Sequence, residues 1–205
     1  MPAQDGWAPL LAHWFGDLSD GFAASDYRKK WFSGGPGFDL ELRQRFAALV
    51  DAALEGQLEA WRNSSRGRLA YVLLCDQLPR NIFRGEARAF AGDQKALSAA
   101  REAVTSGQDL DLQPDERAFL YLPFEHSENL VDQHACVGLF FELREQCPPE
   151  KQELVTGYLR YAQQHRRIIR QFGRFPHRNR ALGRASSADE EGFLATASGF
   201  GQTTT

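Results

Sequence analysis

The chain has 205 residues, 42% of them hydrophobic and 25% charged, with a net charge of −3; these figures exclude a disordered chain and a broadly basic nucleic-acid binder. The longest apolar run, Leu69 to Cys75, is far short of the roughly 20 residues of a membrane span, and Met1 to Asp5 lacks the basic and apolar regions of a secretion signal. Cys75, Cys136 and Cys147 are too widely spaced to suggest a disulfide framework or a zinc site, so the reading is one cytoplasmic domain over residues 1–205 with small core cysteines.

Apolar residues recur with a period near 3.6 throughout, and no stretch alternates with period 2, which predicts an all-α fold of roughly eight to ten helices. A first helix is expected over Trp7 to Phe15. The Gly- and Ser-rich segment after it reads as a loop docked by Tyr27, Trp31 and Phe32. Leu42, Phe46, Leu49, Val50 and Leu54 form one stripe ending near Gly56. Leu69 to Leu78 is apolar around its whole circumference, the mark of a central helix, and Pro79 is expected to interrupt it.

Another helix is expected from Asp93 to Val104. Gln113-Pro114-Asp115-Glu116 carries a proline and acids suited to a first turn. Ser127 reads as the cap of a helix with Leu130, His134, Val137 and Phe141 on one side. Pro148-Pro149-Glu150 opens the longest helix, reaching Phe172. Ser187-Ala188-Asp189-Glu190 is a capping-box pattern for a short last helix, followed by a frayed tail over 199–205.

Three polar strings stand out. In Asp76-Gln77-Leu78-Pro79-Arg80-Asn81-Ile82-Phe83-Arg84, Asp76 shares an angular position with Leu69 and Leu73, so its carboxylate is expected to point inward. A buried carboxylate needs a cation or several donors, and Arg80 and Arg84 are the local candidates. Either these side chains line a pocket or they form an ion pair that fixes the helix break. In Pro123-Phe124-Glu125-His126-Ser127-Glu128, an imidazole and a carboxylate flank an expected helix start, which suits a general base, a metal ligand or plain capping.

The third string begins at His165, in the middle of a stripe made of Leu154, Tyr158, Tyr161, Ile168, Ile169 and Phe172. It continues as Phe172-Gly173-Arg174-Phe175-Pro176-His177-Arg178-Asn179 and Leu182-Gly183-Arg184. Gly173 and Pro176 predict a rigid turn presenting Arg174, His177, Arg178 and Asn179 together. Between Leu154 and Arg184 there are eight arginines and no Asp, Glu or Lys. Without interleaved aromatics or a docking motif this reads as a solvated or acid-paired helix face, not as a nucleic-acid surface.

On these three strings, together with Trp14-Phe15-Gly16 and the Glu191 to Phe193 end, the chain resembles the bacterial domain-of-unknown-function 924 family over nearly its whole length. Glu125 departs from the pattern, since the family more usually has an apolar residue there, often Met. The resemblance implies antiparallel helix pairs in a tetratricopeptide-repeat-like, right-handed superhelical layer, and it implies no established activity.

Three functions follow from the strings. In the first, Arg80, Arg174 and Arg178 hold a small anionic molecule or peptide oriented by Asn81 and Asn179, with Gln77, Arg84, His177 and Arg184 completing the binding set. In the second, the same pocket is catalytic and hydrolase-like, with His126 or His165 as base and Asp76 or Glu128 orienting the imidazole. A metal on Asp76, His126, Glu128, His165 or His177 is a variant of this second reading. In the third, the protein is an interaction scaffold and the strings tie helices together. No nucleophile elbow, phosphate loop, dinucleotide fingerprint or His-Glu-x-x-His pair occurs, which weighs against the enzyme reading without excluding it and leaves any cofactor unknown. Exposed aromatics near Trp31 would suit a homodimer as well as a monomer.

Overall fold

The computed structural model describes residues 6–33 and 35–196. Within them the protein is all-α, with ten α-helices, several short 3-10 turns and a single bridge between Ser19 and Phe22 in place of any strand. The expected tail over 199–205 lies outside the described residues.

The first helix, α1, spans Ala8–Phe15 and buries Leu10, Leu11, Trp14 and Phe15. The segment read as a docked loop contains a helix, α2, over Ser25–Ser33. It escaped the sequence pattern because it is mostly polar and buries one large residue. That residue, Trp31, donates its Nε1–H to the Trp14 carbonyl at 2.8 Å and meets Phe119 edge-on with ring centroids 4.6 Å apart. Phe32, expected to dock beside it, is 60% exposed. Helix α3, Gly35–Leu54, buries Leu42, Phe46, Val50 and Ala53.

The central helix is α4, Ser65–Cys75, buried from Gly67 through Cys75 and packed against α1, α3 and the three helices described next. Ser64 caps its start by accepting the Gly67 N–H at 3.2 Å. The interruption expected at Pro79 occurs three residues earlier, at Asp76, and the chain restarts as α5, Gln77–Ile82. Pro79 has no N–H to give the Cys75 carbonyl and its ring crowds that carbonyl, so the break falls one turn before the proline. In the first turn of α5 the missing donor costs nothing.

Gly92 packs directly on this break. A Cβ there would collide with the carbonyl oxygen of Cys75, so glycine alone lets helix α6, Asp93–Ser106, start against it. Helix α7, Pro114–His126, opens with the expected proline and a capping box between Gln113 and Glu116.

Helix α8, Leu130–Gln146, is capped by Asn129, which accepts the Val131 N–H at 2.8 Å. Ser127, expected as the cap, instead donates its hydroxyl to Asp132 at 2.6 Å. The face of α8 is also rotated from the expected one: Asp132, Gln133, Cys136, Phe140 and Leu143 are buried, while Leu130, His134 and Phe141 face solvent. The reason is chemical. Gln133 Nε2 donates to the carbonyls of Glu125 and Ser127 at 2.6 and 2.8 Å, satisfying the open end of α7, and Asp132 meets Arg101 at 2.5 Å. Buried polar residues of this kind are invisible to an apolar-stripe argument.

Helix α9, Gln152–Phe172, is the longest and packs along α8 as a hairpin. It buries Val155, Tyr158, Ala162, His165, Ile168 and Ile169, whereas Leu154 and Tyr161 of the expected stripe are exposed. Gly173, with φ +69°, ends it in the left-handed conformation that other residues avoid. Helix α10, Ala188–Leu194, carries the expected capping box of Ser187 and Glu190.

One apolar core runs from α1 to the middle of α9. Beyond it Ile168, Ile169 and Phe175 form a small separate cluster with Phe172 and Phe193. Polar contacts also join this carboxyl-terminal segment to the main core, from Phe175 and Arg184 to Glu128 and from Arg178 to Asp93. Cys75, Cys136 and Cys147 are free and buried. No helix among the described residues is long and apolar enough to cross a membrane.

Candidate functional site

The three strings meet on the seam between the main core and the small carboxyl-terminal cluster. Asp76, at the break between α4 and α5, is fully buried. Its Oδ2 accepts the Gln77 side-chain amide at 2.6 Å, and its Oδ1 lies 3.1 Å from the Arg80 guanidinium. His126, the last residue of α7, places Nδ1 at 2.8 Å from Oδ1 and 3.0 Å from Oδ2 of the same carboxylate. Burial alone would push the Asp76 carboxyl up; the Arg80 charge and the hydrogen bonds from His126 and Gln77 outweigh it and hold the group well below the usual carboxylate range.

Arg80 also reaches Asp93, the first residue of α6, at 2.8 Å. Arg178 meets the other oxygen of Asp93 at 3.1 Å, with its guanidinium 4.5 Å from the Phe175 ring centroid and 4.9 Å from that of Phe90. Burial, then the neighbouring Arg80 charge, lowers the Arg178 pKa to about 10. Glu128, at the other corner, accepts the Phe175 N–H at 2.8 Å and two Arg184 donors at 2.8 and 3.0 Å. The strings therefore close a ring: Asp76 to His126, Glu128 to the third string, and the third string back through Asp93 to Arg80.

The centre of the ring is a set of imidazoles beside one buried carboxylic acid. His126 and His165 lie 6.3 Å apart, and the rings of His165 and His177 each lie 5.4 Å from that of Phe175. Burial, followed by the Arg80 charge, lowers the His126 pKa despite Asp76, so its ring is neutral at pH 7. A neutral ring facing a carboxylate donates from Nδ1 to Asp76 and carries its lone pair on Nε2. Nε2 makes no hydrogen bond among the described residues, and the side chain keeps 15% exposure.

His165 donates Nδ1–H to the Tyr161 carbonyl at 2.9 Å, and burial lowers its pKa to about 3. His177 is likewise lowered to about 3, first by burial and then by Arg178. Glu125 is pushed up to about 8 by burial and then by the Asp76 charge. Its Oε1 lies 3.4 Å from His165 Nδ1. That contact has ion-pair geometry, but both groups are neutral at pH 7 and it is not an ion pair.

The remaining expected site residues lie in satellites. Asn81 donates to Asp39 at 2.8 Å, and Arg84 bridges both oxygens of Asp39 at 2.9 and 3.0 Å. Arg174 forms a fork on Glu190 at 2.6 and 2.7 Å. Asn179 donates to Ser186 at 3.1 Å and accepts from Arg184 at 3.0 Å. Arg174, Asn81 and Arg84 thus stand apart from Arg80 and Arg178. Sequence reasoning missed Asp39 and Asp93, and saw Glu190 only as a cap. The available signal was the excess of motif arginines over motif carboxylates, since buried guanidinium groups require acids. His126 and Glu128 do not flank a helix start: His126 closes α7 and α8 begins at Leu130. The described residues contain no group of three or more His, Cys, Asp or Glu arranged to hold a metal ion.

The chain matches a family model described as bacterial protein of unknown function, domain of unknown function 924, over residues 10–198. The chain belongs to that family. It is similar to a solved structure of a protein of unknown function from Agrobacterium tumefaciens, at 37% identity and a TM-score of 0.72, covering 82% of this chain and 90% of that one. No curated protein matches it.

Proposed function

We propose that the protein is an enzyme in which His126 is the general base, taking a proton at Nε2 from water or a hydroxyl of a small substrate at the exposed edge of the ring. The observation that carries this reading is the Asp76–His126 contact at 2.8 Å, which fixes the imidazole by Nδ1 and leaves Nε2 without a partner among the described residues. General-base catalysis needs a neutral imidazole held in one tautomer; the lowered His126 pKa and the Nδ1 contact with Asp76 support this reading. Asp76 is a positioning residue, itself held by Gln77 and Arg80. Arg80 and Arg178 supply positive potential beside the reacting atoms.

The arginines favour capture of an anion less. Each motif arginine already faces a carboxylate: Arg80 and Arg178 face Asp93, Arg84 faces Asp39, Arg174 faces Glu190, and Arg184 faces Glu128. That matching favours a second reading for the satellites, in which they tie the carboxyl-terminal segment to the main core in a protein without catalysis.

A panel of chromogenic carboxylic and phosphoric esters, assayed on the wild type and on His126→Asn, separates the two. The enzyme reading expects turnover that falls by about 10²–10⁴ in the variant with melting temperature kept within a few degrees. Turnover that His126→Asn retains, or a panel with no turnover at all, speaks for the structural reading.

A further inference from the structure

The outer face of the α8–α9 hairpin carries a seam that no other helix covers. On α8, Val131, His134, Gly138, Phe141 and Glu145 are all exposed. They follow one another at alternating steps of three and four residues, the heptad spacing that keeps side chains in one line along a helix. Two of them are large apolar groups held in water, Val131 at 74% and Phe141 at 53% exposure. On α9, Glu153, Arg160, Gln164 and Arg167 line the exposed side. The two helices run antiparallel in a fixed register, since Arg144 Nε donates to Thr156 Oγ1 at 3.1 Å and Phe140 stacks on Tyr158 with ring centroids 5.6 Å apart. That register sets Glu153 beside Glu145, and Arg167 beside Val131.

Charge is divided along this face. Glu142, Glu145, Glu150 and Glu153 are exposed at the end where the hairpin turns, and His134, Arg167 and Arg170 at the other end. Arg144 reaches Glu145 at 2.5 Å and Arg160 reaches Glu153 at 3.4 Å, both on the surface. Arg167 and Arg170 have no carboxylate at ion-pair distance among the described residues. Between the charged ends lie Phe141 and the small residues Ala135 and Gly138. A Cβ on Gly138 would meet nothing within 4 Å, so the backbone there is open to a neighbour.

We propose that this face is the interface of a homodimer, in which α8 of one copy packs antiparallel on α8 of the other. A two-fold axis lying in the interface and crossing α8 at Gly138 sets residues equally far from Gly138, on opposite sides of it, over one another. Phe141 of one copy then rests on Ala135 of the other and against Gly138, whose missing side chain lets the helix axes approach to about 8 Å. Glu142 meets His134. Glu145 meets Val131 and the Arg167 beside it. Each contact occurs twice, and the acidic end of each copy lies on the basic end of the other.

Other occupants match only half of the face. A nucleic acid or an anionic membrane suits Arg167 and Arg170 but is repelled by the glutamates, and a basic partner has the reverse fault. Two copies packed in parallel would stack acid on acid. The antiparallel second copy satisfies both ends and covers Phe141 and Val131 as well.

The test is sedimentation velocity of the full-length protein from about 1 μM to about 1 mM. A reversible monomer–dimer equilibrium is expected, with the dimer as the main species at about 100 μM. Gly138→Gln has room in the single chain and improves helix propensity, so the melting temperature of the monomer is expected to hold or rise. The same side chain fills the seat of Phe141 from the other copy, and the dimer Kd is expected to rise about tenfold or more. Glu145→Arg and Arg167→Glu are each expected to raise the Kd about tenfold or more, and the two together to return it to within about threefold of the wild type. The proposal is overturned if the protein stays monomeric at about 1 mM, if Gly138→Gln dimerises as the wild type does, or if the double variant is no better than the single ones.

Discussion

Replacing Glu125 by glutamine keeps the shape of the side chain and removes its titration. In the folded protein the carboxyl has a pKa of about 8 against an ordinary value of 4.5, raised by burial and then by Asp76. Between those two values the folded state keeps a proton that the unfolded chain releases. The stabilising effect of that proton is complete below pH 4.5 and is lost as pH rises toward 8. Each pH unit inside the window weakens the fold by about 1.4 kcal/mol, so from pH 5 to 7 the wild type loses about 2–3 kcal/mol through this one group.

His165 and His177 act in the opposite sense, since their folded pKa values of about 3 make the fold lose stability as pH falls below 6.5. Only the difference between the wild type and Glu125→Gln therefore isolates the carboxyl. Urea denaturation followed by circular dichroism at pH 5, 6, 7 and 8 measures it. The variant is expected to gain on the wild type steadily with pH, by about 2–3 kcal/mol between pH 5 and 7. A difference that does not change with pH would show that Glu125 ionises normally and that the centre of the ring is wet.

Two further outcomes follow from the packing. Arg178→Ala leaves Asp93 paired with Arg80 and removes one charge-assisted hydrogen bond and the packing on Phe175 and Phe90, so chemical denaturation is expected to show a loss of about 2–3 kcal/mol; a loss under 1 kcal/mol would mean that the residue does not tie the carboxyl-terminal segment to the core. Gly92→Ala drives a methyl into the Cys75 carbonyl, and thermal melting is expected to register about 1–3 kcal/mol of destabilisation; a neutral result would refute the close approach.

The parts of the fold legible in the sequence were those where local chemistry and burial agree. The all-round apolar run from Leu69, the proline and first-turn acids after Gln113, the proline pair before α9 and the capping box at Ser187 each mark an element that the structure contains. Helix α2 was not legible, because Trp31 is its one large buried apolar residue and its other firm tie, Arg28 on Asp115, is polar. The buried face of α8 was misread, because Asp132 and Gln133 turn inward to serve the end of α7 and a partner arginine. At the candidate site, the inward placement of Asp76 and His165 followed from position on a helix; of the two arginines offered as partners of Asp76, Arg80 meets it and Arg84 goes to Asp39. The partners Asp93 and Asp39 did not, since nothing local to an arginine says which distant acid it will meet. His126 and Glu128 are two residues apart yet serve different neighbours, Asp76 on one side and Arg184 with Phe175 on the other. The helix end between them separates the two, and the string alone does not show it.

The claim that most needs testing is that Asp76 holds a neutral His126 with its lone pair free at Nε2. Nitrogen-15 NMR of the histidine rings across pH, assigned with His126→Asn, reads the tautomer and the titration directly. The account predicts a proton on Nδ1, an unprotonated Nε2 at pH 7 and a transition below the ordinary value of 6.5. A proton on Nε2 at pH 7, in either the other tautomer or the imidazolium, would contradict it.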